Sequence, residues 1–388
     1  MGFDFDVHIC LISEQQAPNL LPALDPELGP KARKMVMLVS EKMKPNADRL
    51  TEVLKRHGFD SGSFTPLDIA PYDYEGIWNK LAGHLDRPEN NGEKIALNIT
   101  GGTKIMTLAA QSVFSAAGLP MFYVNESTSR VIIMDGKTSR VEEVPLGVKL
   151  HMKDYLSAYG YKTEKPSEPM SKNKFAEELI NNPSRYEKGL SRLNGIVGKE
   201  KSKRRLDFAG ETTDDVEVLQ PILTLCAEHG LVNSPVWKQG SWSFVSLNAR
   251  KYVCGGWLEE SVFTALSGQG LEDKIQGKAR GVEIVTVPKE VGNELDVVFM
   301  ADNRLHIIEC KTGRLEDEKA MPVLDKLRNL KSRTGLKTKA LLVTWRGLDD
   351  GKNQPNKNRA EAYGIKVIQK DDLRDLKTQL AKWIEARD

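Results

Sequence analysis

The sequence predicts an α/β protein of two or three domains, and three observations lead to this prediction. Apolar β-type runs alternate with helical stretches over the first part of the chain, a polar and helix-rich stretch follows, and paired apolar strands lie in the last third. A chain of 388 residues suits two or three domains of ordinary size. We place them at residues 1–150, 151–250 and 251–388.

Composition restricts the class of protein. The formal net charge is +2, so any affinity for nucleic acid must come from local patches. No apolar run approaches the roughly eighteen residues of a membrane span, and the N-terminus MGFDFDVHICLI lacks the basic start of a signal peptide. We therefore expect a cytoplasmic protein without a membrane partner. Its four scattered cysteines are expected to be reduced, since they show no metal-binding or disulfide spacing.

The first domain is expected to contain a parallel sheet. Strands are predicted at Val7–Ile12, Lys34–Ser40 and Lys94–Ile99, with helices around Ala47–His57 and from about Lys104 to Ala117. Two shorter strands follow, at 120–124 and 130–134. Strands that alternate with helices form parallel sheets, and ligands bind at the carboxyl ends of such strands.

Two loops follow these strands at the ligand-binding edge. The stronger candidate is Thr100-Gly101-Gly102-Thr103-Lys104, where two glycines allow close backbone approach and the next helix offers free N–H groups to an anion. The alternative is a tight glycine turn with a threonine N-cap and no ligand. The other loop is Ser13-Glu14-Gln15-Gln16, with Asn19 close behind it.

A β-hairpin is predicted in the last third of the chain. Val297–Met300 and Leu305–Ile308 are apolar runs separated by Asp302 and Asn303, both of which tolerate the positive φ of a tight turn. With these two residues as the turn, Met300 faces Leu305. A helix over 316–333, strands at 340–345 and 365–368, and a helix from about residue 372 would complete a mixed sheet flanked by helices.

Counting along this hairpin brings acidic residues together. Asp296 is expected to face Glu309, and Glu294 to face Lys311. Opposed carboxylates repel unless a proton or cation lies between them, and oxygen ligands suit Mg²⁺ or Mn²⁺. The sequence thus predicts a divalent-metal site with an ammonium beside it. The alternative is a surface hairpin whose charges are solvated.

A third carboxylate is expected from the helix predicted at Gly255–Gly268. On a helical wheel Glu259 falls in the middle of the apolar face, while Glu260 falls outside it. A buried acidic residue needs a partner, and we choose the metal for Glu259. The alternative is a glutamate at the edge of the core that reaches solvent.

The middle segment is interpreted as a connector. Lys162–Asn173 is polar and contains two prolines, as linkers do. Three helical patterns and two possible short strands follow, an order that resembles a winged helix. The basic run between Lys199 and Arg205 could contact phosphates or form a solvated loop. We expect this segment to space the two flanking domains.

The run NITGGTKIM after a strand resembles the signature of CARF (CRISPR-associated Rossmann-fold) domains. In that family a symmetric homodimer binds one cyclic oligoadenylate. The resemblance implies ligand contacts from the two loops and, as a further candidate, from the end of a later strand: Ser13, Gln15, Gln16, Asn19, Thr100, Gly101, Gly102, Thr103, Lys104 and Asn125.

The acidic residues of the last domain resemble the PD-(D/E)XK nuclease pattern. A helix glutamate, a strand aspartate and Glu-X-Lys on the next strand correspond here to Glu259, Asp296 and Glu309-Cys310-Lys311. The implied metal ligands are Asp296, Glu309 and the Cys310 carbonyl, with Glu259 acting directly or through water. Lys311 would orient the attacking water or stabilise charge, and Glu294 would tune Lys311 or lend a second ligand.

Together the two resemblances match the ancillary nucleases of type III CRISPR systems, whose restriction-endonuclease-like domain follows a Rossmann-like sensor. They imply a homodimeric endonuclease for antiviral defence, activated by a cyclic oligoadenylate such as cyclic tetra-adenylate. Mg²⁺ or Mn²⁺ would serve as cofactor, and single-stranded RNA or DNA and supercoiled DNA as substrates. Basic groups such as Arg314, Arg328, Lys331 and Arg333 would contact the substrate backbone. Two alternatives stay open: a ligand-responsive DNA-binding regulator, and a ring nuclease that degrades its own ligand.

Overall fold

The computed structural model describes residues 5–29, 33–90, 92–138, 140–164, 166–167, 170–199, 206–208, 215–235, 241–268, 270–287, 291–315, 317–348 and 354–386. Two large mixed sheets organise these residues, one of seven strands and one of six. None of the helices within these ranges is long and apolar enough to span a membrane.

Seven strands and four helices form the first domain. The strands are β1 (Val7–Leu11), β2 (Lys34–Val39), β3 (Phe64–Asp68), β4 (Ile95–Asn98), β5 (Met121–Asn125), β6 (Arg130–Met134) and β7 (Val141–Pro145). The helices are α1 (Ala17–Leu24), α2 (Lys44–Arg56), α3 (Tyr74–Leu85) and α4 (Lys104–Ala117). The strand order is β3-β2-β1-β4-β5-β6-β7. The first five strands are parallel and the last two antiparallel.

The apolar strands and the helix after the glycine loop agree with the predictions for this domain. β1 and β2 are almost wholly buried, as their unbroken apolar runs require. Helix α4 begins after Thr103, whose side chain accepts a hydrogen bond from Met106 N, and ends at Gly118 with φ 63°. Helices α1 and α3 and strands β3 and β7 were not predicted. The strands FTPLD and VEEVP carry proline and charge instead of an apolar run.

The middle of the chain is largely helical. It contains α5 (Met152–Ala158), β8 (Tyr161–Thr163), α6 (Asn173–Asn181), α7 (Pro183–Lys199), β9 (Asp207–Phe208), α8 (Val216–Glu228), β10 (Trp242–Ser243) and α9 (Leu247–Lys251). The two short strands β9 and β10 pair antiparallel, with Phe208 opposite Trp242. Most of the predicted basic run, residues 201–205, lies outside the described residues.

The last domain surrounds the second sheet. Its strands are β11 (Ile275–Thr286), β12 (Gly292–Ala301), β13 (Arg304–Lys311), β14 (Lys339–Thr344) and β15 (Ile365–Gln369). Its helices are α10 (Trp257–Ala265), α11 (Ala320–Arg333), α12 (Gln354–Ala362) and α13 (Leu376–Glu385). The strand order is β15-β14-β13-β12-β11-β8, so a strand of the middle segment forms one edge.

The predicted hairpin forms with the predicted turn. Asp302 and Asn303 have φ of 49° and 56°, and β12 pairs with β13 so that Met300 faces Leu305. The described ladder ends where Val297 faces Ile308. Asp296 and Glu309 are therefore the next residues beyond the last regular pair.

The first and last domains contact each other directly, contrary to the expectation of a spacer. Leu150 N donates to the Asn303 side chain at 2.9 Å, and Leu336 N donates to Gln15 Oε1 at 2.9 Å. The helices of the middle segment share a buried cluster with the last domain, including Phe175, Leu190 and Trp257. Apolar residues on these helices thus pack against one another and against the last domain.

Candidate active site and ligand-binding loops

Two acidic side chains, on the two adjacent strands of the hairpin, are buried. Asp296 on β12 is 7% exposed and Glu309 on β13 is 3% exposed. Asp296 Oδ2 accepts a hydrogen bond of 2.7 Å from Cys310 N, which joins the two strands beyond the regular ladder. Gly281 with φ 56° lies on β11 between the partners of Leu295 and Val297, so the backbone bends opposite Asp296.

Lys311 bridges these two carboxylates. Its Nζ lies 2.6 Å from Glu309 Oε1 and 3.5 Å from Asp296 Oδ2. Burial opposes a charge on this ammonium, but the carboxylates of Asp296 and Glu309 outweigh burial and raise the pKa of Lys311 above its usual value. Burial, and then the charge of Glu309, raise the pKa of Asp296 to about 6. The Lys311 ammonium opposes this rise and favours the ionised form of Asp296.

Glu259 on α10 lies close enough to Asp296 and Lys311 for their charges to shift its pKa. Burial, and then the charge of Asp296, raise the pKa of Glu259 to about 7, with a further contribution from Glu294. Its side chain is only partly buried. Glu259 therefore belongs to the electrostatic environment of Asp296 and Lys311, with no hydrogen bond to Asp296 or Glu309.

The prediction that Glu260 lies outside the buried face was wrong. Glu260 is 2% exposed, accepts hydrogen bonds from Met170 N and Ser171 N at 2.8 and 2.5 Å, and lies 3.7 Å from an Arg280 nitrogen. Helix α10 packs against both α6 and the sheet, so residues on two of its faces are covered. The helical wheel assumed a single covered face.

Glu294 is exposed and adopts a different environment from the one predicted. It lies opposite Glu283 on β11, and the ion pairs of Lys311 among the described residues involve Asp296 and Glu309. The carbonyl oxygen of Glu294 accepts a 2.7 Å hydrogen bond from Lys326. The expected contact of its carboxylate with Lys311 is not formed, because the strands stop pairing regularly before this position.

The oxygen atoms at this site suit a hard divalent cation. Asp296, Glu309 and the carbonyl of Cys310 supply oxygen donors only, and burial raises the pKa of the Cys310 thiol, which keeps it neutral. Over the described ranges, no three or more His, Cys, Asp or Glu side chains are grouped closely enough to hold a metal. The donor set therefore fits Mg²⁺, which is often bound by one or two carboxylates and keeps several water ligands.

Lys326 on α11 is a site residue that the sequence analysis did not single out. Its Nζ lies 2.7 Å from Glu309 Oε2, so each oxygen of Glu309 holds a different ammonium. Nothing in the local pattern of α11 distinguishes Lys326 from neighbouring lysines. The available signal was topological, because a helix that follows the Glu-X-Lys strand must pack across it.

Several side chains of the first ligand loop hydrogen-bond to the backbone of that loop or of the strand before it. Asn19 is 1% exposed and donates to Leu11 O at 3.1 Å, while Gln16 is also 1% exposed and donates to Ser13 O at 3.0 Å. The Ser13 hydroxyl hydrogen-bonds to Gln15 O at 3.2 Å. Asn19 and Gln16 therefore shape the loop, whereas Ser13 and Gln15 are more accessible.

The glycine loop lies against the first loop, as predicted for the carboxyl ends of adjacent strands. A Cβ on Gly101 would lie 2.3 Å from Leu11 O, and Gly102 has φ 78°, so both positions require glycine. Thr100 Oγ1 donates to Asn98 Oδ1 at 2.6 Å, and Thr103 Oγ1 donates to Pro71 O at 2.7 Å. Lys104 is exposed at the start of α4.

Asn125 ends β5, the strand beside β4, and therefore lies at the same edge of the sheet. Its side-chain oxygen accepts a hydrogen bond from Ser127 N at 3.2 Å. All ten predicted ligand residues thus occupy three loops, or the element ends beside them, at one edge. The structure brings them together without assigning a ligand to them.

Two family models match the chain at its two ends. Residues 7–155 match the Card1 CARF domain, and residues 246–387 match the Card1-like endonuclease domain. The chain therefore carries a Card1-type CARF domain and a Card1-like endonuclease domain. This confirms the resemblance to the CRISPR ancillary nucleases of type III systems that the TGGT loop and the Glu-X-Lys strand predicted.

Two solved structures resemble this two-domain chain along nearly its whole length. Can2 from Sulfobacillus thermosulfidooxidans, solved in complex with cyclic tetra-adenylate, is 27% identical with a TM-score of 0.76, and the match covers 98% of each chain. Protein VC1899 from Vibrio cholerae is 24% identical with a TM-score of 0.84, again over 98% of each chain, and shares the fold. No curated protein sequence matches the chain.

Proposed function

We propose that this chain is a metal-dependent endonuclease of type III CRISPR defence, activated by a cyclic oligoadenylate that binds its CARF domain. The observation that carries the proposal is the buried cluster of Asp296, Glu309 and Lys311 on the same chain as the CARF loops. The family models and the ligand in the Can2 structure support it, and that ligand favours cyclic tetra-adenylate as the activator.

Asp296 and Glu309, with the Cys310 carbonyl, would hold Mg²⁺ or Mn²⁺. Such an ion, when bound, polarises a phosphate oxygen and lowers the pKa of a coordinated water. Lys311 lies between the two carboxylates, where its ammonium can orient the attacking water or stabilise negative charge on the phosphate. Glu259 would act on this site through water, since it makes no direct contact with Asp296 or Glu309.

The substrate is proposed to be single-stranded RNA or DNA, with nicking of supercoiled DNA, cut without sequence preference. Arg328 and Arg333 lie on α11, the helix that also carries Lys326 to the site, and Arg314 follows the Glu-X-Lys strand. Cations spaced along one helix suit contact with a phosphate backbone, which carries no base-specific information.

The activator is proposed to bind across a homodimer at the loop edge of the CARF sheet. A symmetric ligand fits a two-fold axis between identical loops. Ser13, Gln15 and Lys104 are accessible there, and the backbone around Gly101 and Gly102 allows close approach. The buried Asn19 would act by holding the loop instead of by direct contact.

The coupling between the two domains is proposed to run through the first ligand loop. Gln15 Oε1 accepts a hydrogen bond from Leu336 N, three residues beyond α11, and Tyr159 Oη accepts from Gln16 N at 3.3 Å. A ligand that moves Gln15 therefore displaces a contact of the endonuclease domain. The ligand can activate only to the extent that it binds the active arrangement better.

The direct test is cleavage of labelled single-stranded RNA, single-stranded DNA and supercoiled plasmid with Mn²⁺, with and without cyclic tetra-adenylate. We expect cleavage that requires the ligand and stops when EDTA removes the metal. A protein that binds nucleic acid but leaves every substrate intact would contradict the proposal and favour a DNA-binding regulator. Linear products from the ligand alone would instead indicate a ring nuclease.

A further inference from the structure

We propose that Lys326 is a positioning residue that orients Glu309 for a divalent cation. This inference rests on the proposed metal-dependent function and adds to it a residue outside the Glu-X-Lys pattern. Lys326 acts through Glu309 and need not touch the substrate or the metal.

The two oxygens of Glu309 contact two different ammonium groups. Lys326 Nζ lies 2.7 Å from Oε2, and Lys311 Nζ lies 2.6 Å from Oε1. Glu309 is 3% exposed, so solvent cannot fix its orientation. Its two ammonium partners must therefore do so.

The two lysines make different contacts. Lys311 reaches both carboxylates and the carbonyl of Cys310, which places it on the side that Asp296 and Glu309 share. Among the residues that the structure describes, the carboxylate paired with Lys326 is that of Glu309, and Lys326 donates a second hydrogen bond of 2.7 Å to the carbonyl of Glu294. Lys326 thus ties the Glu309 carboxylate to the backbone of β12, the strand that carries Asp296.

These two contacts of Lys326 fix the orientation of the Glu309 carboxylate. With Oε2 occupied by Lys326, Oε1 is directed toward Lys311 and Asp296, where the predicted metal ligands converge. Partners that orient a ligating group usually contribute about 10- to 100-fold to metal affinity. Without Lys326, Glu309 would lose this orientation.

The helix that supplies Lys326 is firmly placed. Leu324 and Leu327 flank it on α11, and both are 0% exposed. The Lys326 side chain lines a cavity of about 330 Å³ together with Asn293 and Arg333. A methionine of similar length can therefore replace the lysine stem without filling a tight space or leaving a void.

Calorimetric titration with Mn²⁺, in the absence of substrate and activator, tests this proposal. We expect Lys326→Met to weaken Mn²⁺ binding about tenfold or more. Lys326→Arg should restore affinity to within about threefold of wild type, because it again offers donors to Glu309 and to the Glu294 carbonyl. Lys319→Met is the matched control, since Lys319 is an exposed lysine directly before the same helix.

Unchanged or tighter Mn²⁺ binding by a folded Lys326→Met protein overturns the proposal, and tighter binding would identify Lys326 as a competitor of the metal. Thermal unfolding of each variant checks the fold, and Lys326→Gln replaces the methionine variant if that one does not fold. A wild-type protein that binds no Mn²⁺ would contradict the metal dependence in the proposed function itself. If the wild-type protein binds Mn²⁺ and Lys326→Met binds it equally well, only the role of Lys326 is contradicted.

Discussion

At the scale of single residues, the decisive feature is a pair of buried acids that share one ammonium. Asp296 and Glu309 are both less than a tenth exposed, and Lys311 contacts each of them. Leaving such charges without partners in a protein interior is costly, so the neighbouring cations are part of the structure of the site. The same arrangement provides oxygen ligands at a place where positive charge is already stabilised.

Substitution of Glu309 tests the role of this pair. Glu309→Gln keeps the size of the side chain but removes its charge, and we expect polynucleotide cleavage to fall about a thousandfold, or ~4 kcal/mol. Ligand binding to the CARF domain should be unaffected, because the substitution lies in the other sheet. Glu283→Gln, an exposed acid on neighbouring β11, is the matched control. Equal cleavage by both variants would remove Glu309 from the active site.

At the scale of elements, the hairpin was predictable and the surrounding parts were less so. The turn residues Asp302 and Asn303 and the apolar runs beside them are local signals, and they gave the register as far as Val297 and Ile308. Strand β11 was missed, because its sequence IQGKARGVEIVT interrupts the apolar pattern with charges and glycines. Its role as the partner of β12 depends on the assembled sheet.

Contacts across elements also explain the site residues that sequence reasoning misplaced. Glu260 is buried because α10 has neighbours on two faces, and Lys326 reaches Glu309 because α11 crosses the end of β13. A helical wheel does not show which elements pack against a helix, so it could not predict either contact. The Glu294 carboxylate points elsewhere because the hairpin ladder ends before it.

The glycine loop provides a prediction for an element as a whole. Gly101→Ala would place a Cβ 2.3 Å from the Leu11 carbonyl, so the loop must move. We expect a loss of about 1–3 kcal/mol of stability and weaker binding of cyclic tetra-adenylate. Gly83→Ala in helix α3 has no atom within 4 Å of the new Cβ, and it should be neutral or slightly stabilising. Urea unfolding and calorimetric ligand titration on both variants would reveal any failure of this expectation.

At the scale of the whole molecule, the interface between the two outer domains contains a partly buried acid. Burial raises the pKa of Glu126, in the turn after β5, to about 7, while Lys337 and Arg304 of the endonuclease domain act in the opposite direction. The phenols of Tyr155 and Tyr159 lie near it, since Glu126 contributes to their raised pKa values. Protonation of Glu126 is therefore favoured by folding.

The sign of the resulting pH dependence follows from linkage. Glu126 binds its proton more tightly in the folded chain than at its ordinary pKa of 4.5, so its stabilising contribution is complete below 4.5 and is lost as the pH rises through about 7. We expect Glu126→Gln to flatten the decrease in unfolding free energy between pH 5 and pH 8. Glu142→Gln, an exposed acid on β7, should leave that slope unchanged. Parallel slopes for wild type and Glu126→Gln in urea unfolding would contradict this account.

Ligand binding in the CARF sheet is proposed to control chemistry in the endonuclease sheet. The most direct measurement titrates cyclic tetra-adenylate into the wild-type protein at fixed Mn²⁺ and follows ligand occupancy and single-strand cleavage rate in the same samples. We predict that the cleavage rate rises in parallel with occupancy and reaches its plateau when the CARF sites are full. Cleavage that does not depend on occupancy, or no cleavage at full occupancy, would show that the ligand does not activate the endonuclease domain.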